Sequence, residues 1–153
     1  MERLDDTDLE ILRLLQSDAK KTTKEVAEHL NLTNSPAYER IRRLEKLGYI
    51  KKYVAILDKK KLNLPVTAIC MVSLRYHNEG FIDQFDQEIT RLSEVQECFH
   101  MAGKVDFFLK INVSSLEDYH EFVRTKLSNI SNIGVLESYF VLKEIKQETS
   151  YFF

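Results

Sequence analysis

The apolar residues of this chain change their period at Leu64-Pro65. Ahead of that dipeptide they recur at three- and four-residue steps in short runs, the spacing of helices with one buried side. Beyond it, runs rich in β-branched and aromatic residues alternate with two helical stretches. The two patterns bury different kinds of face, so two packed units are expected, and 153 residues suffice for two small cores.

Residues 4 to 50 read as three capped helices. Asp5 caps the first, Asp8 and Glu10 suit the positive end of its dipole, and Leu9, Ile11, Leu12 and Leu15 form its buried stripe, which ends near Ser17. Thr22 opens the second as a capping box with Glu25, and Val26, Ala27 and Leu30 are its apolar side. Thr33 caps the third, Pro36 falls in its first turn, and Gly48 stops it. At about 100° per residue, Ala37, Ile41 and Leu44 of this helix share a core side. Ser35, Glu39, Arg42 and Lys46 then point away from it, Tyr38 and Arg43 sit on the shoulders, and Arg40 lies near the rim, suited to an ion pair or to helix packing.

Charge follows the same division. Residues 20 to 61 carry 12 Lys and Arg against 5 Asp and Glu, whereas residues 1 to 19 and 62 to 153 are both net acidic. The chain total of −2 hides this basic segment, and a partner that binds one face responds to the segment.

Helices two and three with their short link form a helix-turn-helix whose outward side can enter a DNA major groove. Ser35 and Tyr38 are placed for base edges or phosphates, and Arg42, Arg43 and Lys46 for phosphates or for guanine O6 and N7. Thr22, Thr23 and Lys24, at the positive end of helix two, are placed for a backbone phosphate. Arg42 and Arg43 both point outward on this reading, so replacing either is expected to leave the fold intact.

After Gly48, YIKKYVAILD reads as a strand or wing, and Lys59 to Lys61 as a linker. The second half gives strands over 66–75, 95–102, 106–113 and 135–146 and helices over 79–92 and 115–130, in the order βαββαβ. That order predicts a four-stranded antiparallel sheet with both helices on one face, a ferredoxin-like plait. The fold class is therefore α+β, with a helix-turn-helix domain at 1–52, a strand and linker at 53–64 and the plait at 65–153. Its strands are apolar at both parities, Val66, Ala68, Cys70 and Val72 on one side and Ile69 and Met71 on the other. A sheet wet on one face alternates more cleanly, so a twofold copy of the chain is expected to cover the helix-free face.

The acidic MERLDDTDLE lacks the order of a secretory signal, and the longest apolar run, Ala68 to Val72, is far too short to span a bilayer, so a cytoplasmic protein without membrane contact is expected. Cys70 and Cys98 lie in apolar stretches without ligand spacing and read as reduced core thiols, with no metal and no cofactor implied.

LDDTDLEILRLLQSDAKKTTKEVAEHLNLTNSPAYERIRRLEKLGYIKKYVAILD resembles the DNA-binding half of the Lrp/AsnC, or feast/famine, transcription regulators. AGKVDFFLKINV is similar to that family's Gly-x-x-Asp-aromatic turn and strand, and VLKEIK to its closing strand. The resemblance spans nearly the whole chain, and SPAYERIRRLEKLGYI followed by GKVDFFLK is its specific signature. It implies a winged helix-turn-helix joined to an amino-acid-sensing plait, and a dimer that often assembles into an octamer of four dimers. By motif position the effector site is implied near Gly103, Asp106, Leu136 and Ser138, between dimers. From the residues alone, Gly103 permits a positive φ and Asp106 can meet an α-ammonium group, and both are also ordinary turn residues. Lys104, Val105, Leu136 and Asn132 depart from the family's usual residues around this site.

Two other classes share this architecture. Some siroheme decarboxylases resemble it, but His29, His77, His100 and His120 have no shared ligand spacing, and no phosphate loop or nucleophile motif is present. The other is an interaction module whose helix-turn-helix no longer meets DNA; the salt dependence of binding separates it from a regulator.

Overall fold

The computed structural model describes residues 3–153; Met1 and Glu2, with which the expected first domain begins, lie outside the described residues. The chain divides into two compact units, one formed by residues up to Ile56 with Lys146–Phe153, the other by Leu57–Ile145.

The first unit holds α1 (Asp6–Ser17), α2 (Thr23–His29) and α3 (Asn34–Lys46). Their starts follow from capping: Asp5 and Asp8 exchange side-chain bonds with each other's backbone N–H, and so do Thr22 and Glu25. Thr33 occupies the N-cap of α3 without a side-chain bond. Gly48, at φ 79°, takes the left-handed turn that ends α3, and its N–H bonds the Glu45 carbonyl at 3.0 Å. Ile11, Leu15, Val26, Ile41 and Leu44 form one buried cluster. Ala37 is fully buried in α3.

Two features of this unit were not expected. Residues 51–58, expected as a strand or wing, pair with no strand among the described residues, and a strand needs a neighbour to form a ladder. Residues 146–153, which the sequence assigns to the plait, pack here instead. Gln16 brackets the Tyr151 backbone with bonds of 2.8 and 3.0 Å, and Arg13 donates to the Phe153 backbone oxygen through Nη2 at 2.7 Å.

The second unit is β1 (Val66–Leu74), α4 (Glu79–Ile89), β2 (Val95–His100), β3 (Phe107–Val113), α5 (Leu116–Thr125), a 3-10 turn (Leu127–Asn129) and β4 (Ile133–Phe140). The sheet order β2-β3-β1-β4, antiparallel throughout, is the expected ferredoxin-like plait. Ala68, Cys70 and Val72 of β1 and Phe107, Leu109 and Ile111 of β3 are buried with Phe85 and Ile89 of α4 and Tyr119 and Phe122 of α5. Phe85 stacks on Phe107 with ring centroids 4.2 Å apart. Burial of the larger aliphatic and phenylalanine side chains among these stabilises by about 1.5–3 kcal/mol each.

The last strand ends at Phe140 rather than 146, and the second helix gives way to the 3-10 turn after Thr125. Asn132, at φ 69°, explains how β4 begins: its side-chain amide accepts from Tyr76 N–H at 2.9 Å and donates to Tyr76 C=O at 2.7 Å. Asn tolerates this left-handed backbone, and its amide extends the β1–β4 pairing where the ladder ends, which a glycine cannot do.

The helix-free face carries Ile69, Met71, Phe99, Phe108, Val135 and Tyr139, by strand parity opposite to the buried positions. Phe99 and Tyr139 are each about half exposed, at 51% and 52%. Thr67 on this face is nevertheless buried, because its hydroxyl donates to Asn112 at 2.8 Å and Lys59 reaches it from the linker turn.

Candidate functional site

Ser35, Tyr38, Arg42 and Lys46 succeed one another at steps of three, four and four, which sets them in one stripe along α3. All four are exposed, Ser35, Arg42 and Lys46 on the side opposite Ala37, Ile41 and Leu44 and Tyr38 on its shoulder. Pro36 and the core side fix the helix, so the stripe is held on a rigid element. Arg42 is 67% exposed, with Glu45 Oε2 3.6 Å from its Nη1, a solvated i,i+3 pair that water and salt readily loosen.

Arg43 is placed differently from the sequence expectation. Its Nη2 pairs with Asp8 Oδ2, and Asp8, from the first turn of α1, is fully buried. Arg40 completes the cluster, donating through Nη1 to Asp8 Oδ1 at 2.8 Å and to Asp5 Oδ2 at 2.7 Å. The two arginines therefore tie α3 to the start of α1. The Asp8 N–H bond to Asp5, followed by Arg40, holds the Asp5 carboxyl below its ordinary range. The bonds from Asp5 and Asp8 keep the Arg40 guanidinium even more firmly charged. The expectation that removing Arg43 spares the fold does not extend to this geometry, whereas for Arg42 it stands. Periodicity gives no sign that Asp8 is buried, because an acidic residue in a first helical turn already has a sufficient reason to be there.

Of the residues expected around α2, Lys24 is exposed, its ammonium 3.9 Å from Glu28. Thr22 spends its hydroxyl on Glu25, donating to Oε2 at 2.8 Å and accepting from Glu25 N–H at 3.2 Å. The Glu25 carboxylate thus takes the Thr22 N–H, at 2.7 Å, and the Thr22 hydroxyl, so Thr22 is committed to the cap of α2.

In the second unit, Asp106 lies where β3 begins. Its Oδ2 accepts from Leu74 N–H at 2.7 Å and lies 3.0 Å from His77 Nε2, while its own N–H bonds Val72 C=O at 2.9 Å. Among the described residues no protein donor meets Oδ1. His77 is a contact that sequence spacing misses, since it follows the end of β1 in a loop with no motif. Gly103 does not use the positive φ that glycine permits, and a Cβ there would meet nothing within 4 Å. This chain's own packing therefore sets no demand for glycine at that turn. Leu136 packs partly buried against the core. Ser138, opposite Cys70, turns its hydroxyl to Tyr119, with Oγ and Oη 2.5 Å apart. Burial pushes the Tyr119 phenol up to about 12. Among the described residues no hydrogen bond joins Gly103 and Asp106 to Leu136 and Ser138.

Burial raises both thiols, Cys98 to about 11, as befits unreactive core positions. Among the described residues no group of three or more His, Cys, Asp and Glu is arranged for a metal ion. His100, on β2, stacks against Phe107 with centroids 4.7 Å apart. No helix among the described residues is long and apolar enough to cross a membrane.

Comparison with known proteins adds to this geometry. Residues 4–51 match the family described as winged helix-turn-helix DNA-binding, and residues 67–151 match the Lrp/AsnC ligand binding domain. The chain is 31% identical over 147 residues to the DNA-binding transcriptional activator DecR of Escherichia coli, covering 96% of this chain and 97% of that one. It is 34% identical over 147 residues to the glutamate uptake regulatory protein of Zymomonas mobilis, covering 96% and 89%. Among solved structures, the transcriptional regulator NMB0573/L-Met complex from Neisseria meningitidis superposes with a TM-score of 0.92 at 32% identity, covering 97% of this chain and 96% of that one. An AsnC family transcriptional regulator from Agrobacterium tumefaciens gives 0.91 at 30% identity, covering 97% and 96%.

Proposed function

The chain belongs to the Lrp/AsnC family of transcription regulators, and on that premise we propose that it binds double-stranded DNA by laying α3 in the major groove. The exposed stripe of Ser35, Tyr38, Arg42 and Lys46 carries this reading. Ser35 and Tyr38 meet base edges or phosphates near the helix start, Arg42 and Lys46 meet phosphates or guanine, and Lys24 and Thr23 meet the adjacent backbone. Arg43 contributes its charge at closer range to Asp8 than to DNA. In the full-length protein, Arg42→Ala and Lys46→Ala are each expected to weaken DNA binding by about 5- to 150-fold, the cost of about 1–3 kcal/mol for a lost base or phosphate contact. Melting should stay unchanged in both. Unaltered affinity in the two variants would move the interface away from α3.

The working form is a cytoplasmic homodimer joined through the helix-free sheet face, with a further octamer of four dimers. Exposed Phe99 and Tyr139 beside Met71 and Phe108 support this pairing, and a stable contact of this kind buries about 1,200–2,000 Å².

An amino acid acts as effector at the turn of Gly103 and Asp106, its α-ammonium on Asp106 Oδ1 and its approach permitted by the open space above Gly103. The L-Met complex of the Neisseria regulator supports this class of ligand. Leu136 and Ser138 lie on β4, which β1 separates from β3, and the proposed site takes them in at a junction between dimers. Asp106→Asn retains an acceptor for Leu74 N–H but loses the charge. With the free amino acids as probes, it is expected to abolish any amino-acid-dependent change in DNA affinity while leaving the dimer whole. A response equal to that of the unaltered protein would remove Asp106 from the site.

A further inference from the structure

Between α3 and the second unit the chain passes Tyr53, whose hydroxyl donates to Glu45 Oε1 at 3.0 Å. The other oxygen of the same carboxylate, Oε2, faces Arg42 Nη1 at 3.6 Å, beyond hydrogen-bond distance. Tyr53, Tyr38, Thr23, Arg42 and Glu45 line one groove on the first unit. Burial, then the bond to Glu45, pushes the Tyr53 phenol up to about 12, so the hydroxyl keeps its proton and remains the donor.

Glu45 thus stands between two partners, a neutral donor and a cation. An arginine that closes on an i,i+3 carboxylate has its charge partly cancelled and its N–H fork diverted from a phosphate or a guanine. Anchoring one carboxylate oxygen on Tyr53 restrains rotation of the group, and the other oxygen stays in an open ion pair with the guanidinium, at 3.6 Å, short of a hydrogen bond.

We propose that Tyr53 is a positioning residue for DNA binding, its hydroxyl holding Glu45 off Arg42 so that the guanidinium is free for the duplex. The proposal rests on the reading that Arg42 meets DNA. Sequence periodicity does not reveal this, because Tyr53 falls outside every regular element.

The test is a double-mutant cycle in the full-length protein, with a duplex recovered by the unaltered protein from a random-sequence library as the probe. Tyr53→Phe removes one oxygen and keeps the ring. It is expected to weaken binding by about 2- to 10-fold, in keeping with a single hydrogen bond to a charged group near the surface. It should also lower the salt slope by up to about one per chain, the signature of a lost phosphate partner. Glu45→Gln should bind at least as tightly as the unaltered protein, and adding Tyr53→Phe to it should change neither affinity nor slope. Equal losses from Tyr53→Phe in both backgrounds, or no loss in the single variant, would overturn the proposal while Arg42→Ala still weakens binding. If Arg42→Ala binds normally, the assignment of α3 fails and takes this inference with it.

Discussion

Raising salt from about 50 to about 200 mM is expected to weaken the complex of the proposed dimer with its DNA target by about 10³-fold, a steep loss for a fourfold change. The figure follows from counting exposed cations whose only ion pairs are loose, solvated ones. Each chain offers Lys24, Arg42 and Lys46 on exposed positions around the helix-turn-helix. Arg40 and Arg43 count for less, because they already neutralise Asp5 and Asp8. Two chains then neutralise about six phosphates, and released counterions give a log–log slope of about −5. Fluorescence anisotropy across a salt series measures it. A slope shallower than about −2 would place the chain with interaction modules whose helix-turn-helix no longer holds a duplex.

The second large effect lies inside the first unit. Asp8→Ala is expected to cost on the order of 2–3 kcal/mol in chemical denaturation, at or below the lower end for breaking a buried ion pair because both arginines are partly exposed and can turn to water. The variant loses two guanidinium partners and half of the capping box at once. Arg43→Ala leaves Asp8 with Arg40, and its loss should be about 1 kcal/mol. A change below about 0.5 kcal/mol in Asp8→Ala, the size of an ordinary surface substitution, would show that the cluster does not hold α1 to α3. Acid acts on the same region. Asp5 has a folded-state pKa depressed below 3.8, so its contribution is complete above that value and drains as pH falls through the lower folded one. Glu25, held low chiefly by Thr22 N–H, behaves likewise from 4.5 downward.

Much of the fold can be read from residues whose cause is local. Asp5, Thr22 and Gly48 set helix ends through bonds to neighbours three or four positions away, and each does so in the structure. The plait follows from the order of elements, which the right-handed crossover rule turns into a topology. What escapes is contact across long separations. Arg43 belongs to Asp8, 35 positions away, although its place on the helical wheel points outward. His77 meets Asp106, 29 positions away, and Gln16 meets Tyr151, 135 positions away. The strand or wing expected at 49–58 forms no ladder for a different reason, since a strand is a property of a pair and no second member pairs with it among the described residues. For the candidate sites, the stripe on α3 is legible because helical spacing alone creates it. The surroundings of Ser138 are not, because parity says which face a residue takes and nothing about the Tyr119 hydroxyl waiting there.

Hydroxyl-radical footprinting of the full-length protein on a selected duplex asks whether paired subunits seat two α3 helices in successive major grooves. Two protected patches are predicted on one face of the DNA, centred about 34 Å or one helical turn apart, and methylation by dimethyl sulfate on the same complex should find guanine N7 shielded within each. A single patch, or two patches whose separation fits no whole number of turns, would contradict the account.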